Sequence, residues 1–168
     1  PQKGPGHLIE AMPEIIDDSP EAKFVMVGSG ATEHYKGIAK SQVGDKVHFP
    51  GYVTDSELLS LMKTADLTVA PSVYEPFGIV PLEAAACETP TVGSYVGGMK
   101  DTIVHEYTGL HSYPADSGSI AYQVNRALND PGWSDWMGDK ARERVEDNFR
   151  WEQISAWTTG IYSNAVES

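Results

Sequence analysis

The sequence is poor in several features that would point to a function directly. It has one cysteine, Cys87, so no disulfide can form within it; this fits a reducing, cytoplasmic setting. No apolar run approaches the ~20 residues that a membrane-spanning helix needs. Cations are scarce: 12 Lys and Arg against 24 Asp and Glu give a net charge of −12. That balance argues against nucleic acid or an anionic membrane as partner. The histidines, at 7, 34, 48, 105 and 111, are scattered. With no Asp-x-Asp motif and no Cys/His cluster beside them, no metal or other cofactor is expected. Neither Gly-x-Gly-x-x-Gly nor a Gly-Lys-Ser/Thr loop occurs, so nicotinamide and P-loop chemistry lack support. An initiating Met is missing too. The start Pro1-Gln2-Lys3-Gly4 reads as mid-protein, and the chain is expected to be an excised domain.

What is present describes a globular α/β unit. The 168 residues are 40% hydrophobic and 21% charged, enough for one domain with a core. Apolar runs alternate with amphipathic stretches. Strands are predicted at 24–27, 46–49, 67–70, 89–92 and 109–112. Helices are predicted at 7–16, 32–43, 82–87, 100–104, 119–128, 133–148 and 151–166, with Pro13 a candidate kink in the first. Thr54-Asp-Ser-Glu57 reads as a capping box opening a further helix with Leu58, Leu59, Leu61 and Met62. Strands separated by helices imply a single doubly wound, Rossmann-like parallel sheet with right-handed crossovers. A strand is expected ahead of His7, since the first helix otherwise has nothing to cross over from. Cys87 is expected on a buried helix face, and the four tryptophans in packed helices.

In open parallel sheets ligands bind beyond the carboxyl ends of the strands. The candidate loops are therefore Gly28-Ser29-Gly30, Gly51-Tyr52-Val53, 72–78 and 95–99. The stretch SVYEPFGIVPLE, residues 72–83, is the most informative. Glu75 sits in the loop, where a carboxylate can accept from ligand hydroxyls. After Gly78, the amides of Ile79 and Val80 head a helix whose first turn tolerates Pro81. Free amides and the helix dipole together suit an anion. Glu83, one or two turns on, offers a second acceptor. In so acidic a chain, a bound diphosphate would need such amides plus one or two cations.

Beyond this stretch, Glu75-Pro-Phe-Gly-Ile-Val-Pro-Leu-Glu83-Ala resembles the E-x7-E motif of the family-four retaining glycosyltransferases, which have the B-type fold of two Rossmann halves. The likeness extends to Lys3-Gly4 with Leu8-Ile-Glu-Ala11, Val27-Gly28-Ser-Gly30, Val47-His-Phe-Pro-Gly51-Tyr, Pro71-Ser72, Gly97-Gly98 and Thr108-Gly109. In Glu83-Ala-Ala-Ala-Cys-Glu-Thr-Pro-Thr-Val92, Glu88 replaces the family's usual glycine. The resemblance implies that this is the C-terminal, nucleotide-sugar donor-binding half, with the acceptor-binding half outside the chain. It implies that Glu75 binds hydroxyls of the transferred sugar and Glu83 the ribose. Backbone amides of Phe77, Gly78, Ile79 and Val80 would hold sugar and diphosphate. Lys3 would neutralise the diphosphate, with an arginine lying upstream of Pro1. Gly28 and Gly30 would form the strand-end turn, Tyr52 and Val53 would flank the base, and Gly97 and Gly98 would line the sugar pocket.

The implied activity is transfer of a hexosyl group, with retention, from a nucleotide diphosphate sugar to a glycan or other hydroxyl acceptor. Val96-Gly-Gly-Met-Lys-Asp-Thr-Ile103 is similar to a stretch of glycogen and starch synthases, which favours a glucosyl donor. A mannosyl or other hexosyl transferase, a sugar-nucleotide epimerase and a non-catalytic nucleotide-binding module are the alternatives. The isolated chain is expected to transfer nothing alone. In family members the last helix crosses back to the N-terminal half, which would leave Trp151 and Trp157 near that partner.

Overall fold

Short β-branched runs and amphipathic stretches alternate throughout the computed structural model, which describes residues 2–29 and 32–167. Its elements in chain order are α1 (Pro5–Asp18), β1 (Phe24–Val27), α2 (Thr32–Val43), β2 (Val47–Gly51), α3 (Asp55–Thr64), β3 (Thr68–Ala70), α4 (Ile79–Ala86), β4 (Thr91–Ser94), α5 (Met99–Thr102), β5 (Gly109–Ser112), α6 (Ser117–Asn129), α7 (Pro131–Asn148) and α8 (Trp151–Glu167). A 3-10 turn at Gly44–Lys46 links α2 to β2. The order of elements is as expected, but β4 lies two residues later than the apolar spacing suggested. α1 runs unbroken through Pro13 and is two residues longer at each end than expected.

All strand pairs are parallel, but the strands do not form the single continuous sheet expected from the alternation. Hydrogen bonds join them in two ladders, β1–β2 and β3–β4–β5. β1 and β3 each turn an edge without a ladder partner, among the described residues, towards a groove that both line. In β2, Pro50 has no amide hydrogen to give to the ladder, and the β1–β2 register slips between Val25 and Val27.

Helices lie on both faces. Val92 and Leu110, cross-strand partners in β4 and β5, point into a core with Leu8, Ile9, Met12 and Ile15 of α1 and Ile120 and Val124 of α6. That set is the apolar stripe read from 8–16, continued on α6. Gly93, between the core-facing positions of β4, turns to the opposite face, towards Met99 and Ile103. Helix ends are capped as the sequence suggested: Thr54 and Glu57 form the reciprocal capping box of α3. Asp116 and Asp130 accept from the amides of Ser119 and Trp133.

Two expectations need correction. Cys87 is half-buried at the C-cap of α4 rather than on a buried helix face, because α4 ends one residue before it. Of the tryptophans, Trp133 packs against the core, but Trp151 is 81% exposed and Trp157 56%. α8 carries them with Ile161 and Tyr162 out of the core, so its apolar side chains meet solvent. No helix among the described residues is long and apolar enough to cross a membrane.

Candidate functional site

At the carboxyl ends of β1 and β3 the groove has a volume of about 450 Å³. Its lower walls are apolar, from Val25, Met26, Val27 and Val69; its upper end is polar, from Lys3, Ser29, Ser72 and Glu75. A larger depression of about 610 Å³ lies between α1 and α6, but Glu14, Asp17 and Asp18 line it and would repel an anionic ligand, and its one arginine, Arg126, is paired with Glu106 at 2.6 Å. The polar end of the β1–β3 groove is therefore the candidate site.

Two chain segments build that end. The first is the turn before α1. Gln2 accepts hydrogen bonds at its carbonyl from the amides of Val73 (2.8 Å) and Tyr74 (3.4 Å). Gly4, at φ 63°, approaches Pro71 so closely that an added Cβ would lie 2.0 Å from the Pro71 carbonyl oxygen. Lys3 is thereby fixed at its backbone beside the loop that follows β3. The second segment is the loop 71–78 itself, leading into α4. Glu75 is only 8% exposed. Its Oε2 accepts from Lys3 Nζ at 2.5 Å and its Oε1 from the Gly78 amide at 3.4 Å. The Lys3 hydrogen bond holds the Glu75 carboxyl below its ordinary value of 4.5. Burial opposes this; the Lys3 charge and the amides of Gly78 and Phe77 reinforce it.

The amino end of α4 opens where the sequence placed it. Gly78 is the N-cap, at φ 86°, and no side chain caps the helix. Val80 lines the groove, whereas the side chains of Phe77 and Ile79 are exposed outside it. The loop 95–99 closes over this end from the other side. Gly98 donates its amide to the Glu75 carbonyl at 3.0 Å. A Cβ on Gly97 would lie 1.9 Å from that same carbonyl oxygen, and one on Gly98 would lie 2.2 Å from the Phe77 carbonyl oxygen. The glycine pair is thus explained by backbone-to-backbone contact with 75–77; only Met99 of this loop lines the groove.

Glu83 does not share the groove with Glu75. It sits at the surface of α4, where lost hydration and then the negative charge of Asp55 at the start of α3 raise its carboxyl above the usual range. Tyr52, 79% exposed, and Val53 precede α3, outside the groove. Of the expected residues, the structure thus gathers Lys3, Gly28, Glu75 and Val80 in one groove. It sets Gly78, Gly97 and Gly98 behind its rim, and Tyr52, Val53 and Glu83 together by α3. Gly30 falls outside the described residues. Tyr35 of α2 and Leu8 of α1 also line the groove and were not expected there. Leu8 sits on the apolar stripe of α1 and Tyr35 on a helix with no marked apolar spacing, and nothing in the sequence distinguishes such positions from the wall of a groove. Among the described residues, no group of three His, Cys, Asp or Glu side chains is placed to hold a metal ion.

Residues 1–148 match the family described as Glycosyl transferases group 1. The chain is 43% identical over 168 residues to an uncharacterized glycosyltransferase of Methanocaldococcus jannaschii, covering 99% of this chain and 43% of that protein. It is 33% identical over 163 residues to a glycogen synthase of Mycobacterium tuberculosis, covering 96% of this chain and 39% of that protein. Among solved structures, sucrose-phosphate synthase from Thermosynechococcus elongatus superposes with a TM-score of 0.88 at 34% identity, over 99% of this chain and 43% of its own. HepE from Anabaena, solved in complex with UDP and glucose, gives 0.85 at 25% identity, over 98% and 46%. The chain spans about two fifths of the length of the curated relatives it matches. A parallel α/β fold with an open helix N-terminus over a Lys–Glu groove, and a family match over most of its length, lead to one attribution: the chain belongs to the group 1 glycosyl transferases.

Proposed function

We propose that the chain binds the nucleotide-sugar donor of a retaining hexosyltransferase, and that the transferred group is glucosyl. The observation that carries this reading is the uncapped N-terminus of α4 beside Lys3 and the buried Glu75. It offers amides and an ammonium to a diphosphate and a carboxylate to hydroxyls. Support for the sugar comes from the glycogen synthase relative, from HepE with its bound UDP and glucose, and from the synthase-like stretch Val96–Ile103. The acceptor, a glycan or another hydroxyl compound, is held by residues outside these 168.

The chemistry follows from where charge develops. Breaking the bond from the anomeric carbon to the diphosphate leaves positive charge on the sugar and negative charge on the leaving oxygen. The amides of Ile79 and Val80 and the dipole of α4 stabilise that oxygen without reorganising, and Lys3 adds its charge from beside them. Loss of one such donor costs on the order of 2.7–4 kcal/mol of barrier. Glu75 accepts from sugar hydroxyls and fixes the ring over the diphosphate. Glu83 takes ribose hydroxyls, with Tyr52 and Val53 beside the base; hydroxyl donors would offset the lost hydration, and then the Asp55 charge, that oppose ionisation of Glu83. In this reading no metal or other cofactor takes part.

Calorimetric titration with UDP, ADP and GDP, and with their glucose and mannose sugars, tests the reading. One base is expected to bind and its glucose sugar to bind best. A preference for a mannose donor moves the reading to mannosyl transfer, and binding by none of them overturns it. Release of the free, epimerised sugar nucleotide without an acceptor would instead indicate an epimerase. Glu83→Ala is expected to weaken binding, and unchanged affinity removes Glu83 from the ribose. Turnover by the 168-residue chain alone would contradict the placement of the acceptor site.

A further inference from the structure

Lys3 and Glu75 are read as serving different parts of a donor, yet in the structure each serves the other. Lys3 Nζ lies 2.5 Å from Glu75 Oε2, and the two side chains differ in setting: Lys3 is 69% exposed and Glu75 11%. The carboxylate is held by burial and by the Gly78 amide at 3.4 Å, on a backbone that is itself fixed where the Glu75 carbonyl accepts from the Gly98 amide. The lysine backbone is locked as well, through Gln2 to Val73 and through Gly4 to Pro71. What can move is the exposed lysine side chain, a flexible four-carbon arm carrying a point charge.

We infer that Lys3 is shared between Glu75 and the donor diphosphate, so that Glu75 discriminates the complete sugar nucleotide from the nucleoside diphosphate left after transfer. This rests on the groove being a sugar-nucleotide site. A diphosphate that draws Lys3 towards itself takes from Glu75 the cation that compensates its buried charge. An uncompensated buried carboxylate is costly. The hydroxyls of the complete donor make good that loss, since each can donate to a carboxylate oxygen. The nucleoside diphosphate brings no sugar hydroxyl to Glu75. The penalty therefore falls on the product, which is held less tightly, and not on the substrate. Glu75 then has a second role beyond contact with the sugar: it weakens retention of the spent nucleotide by competing for Lys3.

The test is a double-mutant cycle read by calorimetry, using whichever of UDP, ADP and GDP binds the parent chain best. Glu75→Gln keeps the shape but removes the charge that holds the ammonium, and should bind that nucleoside diphosphate about three- to fivefold more tightly than the parent. In a Lys3→Met background the same substitution should leave affinity unchanged. Glu75→Asp keeps the charge near the diphosphate but shortens the arm towards Lys3, so it should also tighten binding; it serves in place of Glu75→Gln if that variant does not fold. Unchanged or weaker binding in both variants overturns the inference. So does an equal gain with and without Lys3, which would mark simple relief of repulsion between Glu75 and the diphosphate. In either case the donor-site reading survives. Only a parent chain that binds none of the three diphosphates removes that reading, and this inference with it.

Discussion

Glu88 stands at φ 63°, a left-handed conformation that costs a residue with a Cβ roughly 1–2 kcal/mol. It occupies the position where the family carries glycine, and Gly138 of α7 packs against its carbonyl. Glu88→Gly is therefore expected to stabilise the chain by about 0.5–1 kcal/mol after the extra chain entropy of glycine is subtracted. That corresponds to a rise in Tm of about 1–4 °C for a domain of this size, measurable by calorimetry. Gly97→Ala should act in the opposite sense, since its Cβ would collide with the Glu75 carbonyl oxygen at φ 44°. It should cost about 1–3 kcal/mol and disturb the groove as well, weakening nucleotide binding. Glu75 gives a pH dependence with a definite sign. Its folded carboxyl lies below 4.5, so its ion pair with Lys3 contributes stability that is fully present above that pH. The contribution is lost as pH falls through the lower folded value. In Lys3→Met only burial and the weaker amide bonds remain, so a carbon-detected NMR titration should find the Glu75 carboxyl moved upward. The residues were readable from the sequence wherever a special backbone or a charge in a turn marked them, as at Glu75, Gly78 and Gly97. The Lys3–Glu75 contact was not readable, because it joins positions 72 apart through a turn whose path no local pattern encodes.

Among the elements, α1 and α6 form the main packed pair, with Met12 and Ile15 fully enclosed. Met12→Ala is expected to cost about 2–5 kcal/mol in urea unfolding, the usual range for emptying a close-packed site. α3 is different in kind: of its residues only Met62 is buried, and its cap holds it in place. Thr54→Ala should cost about 1 kcal/mol through loss of the cap alone. Of the leucines named with the capping box, Leu58 and Leu61 are half-buried and Leu59 is 47% exposed. Helical spacing shows that a stripe exists, but whether a neighbouring element covers it is a tertiary matter. The same limit explains the strands. Periodicity identified each run and its parallel sense, whereas the division into two ladders depends on which edges meet.

At the scale of the molecule, a net charge of −12 surrounds a groove end whose lysine, Lys3, is paired with Glu75. Long-range attraction cannot draw a dianion to such a surface; capture depends on the short-range amides of α4 and on Lys3. Binding should accordingly strengthen as added salt screens the bulk repulsion, until the salt competes at the groove itself. The exposed Trp151, Trp157, Ile161 and Tyr162 of α8 form an apolar surface that the chain itself does not cover. The family was legible in the sequence because its motifs mark the strand ends, where backbone geometry and ligand chemistry constrain residue type together. The central claim is that the open end of α4 holds a diphosphate. Amide NMR during titration with the preferred nucleoside diphosphate tests it most directly. The largest shifts should fall on Ile79, Val80 and Lys3, with Gly28 responding at the groove wall. Shifts confined to the acidic cleft of Glu14, Asp17 and Asp18, or no movement of Ile79 and Val80 at saturation, would contradict it.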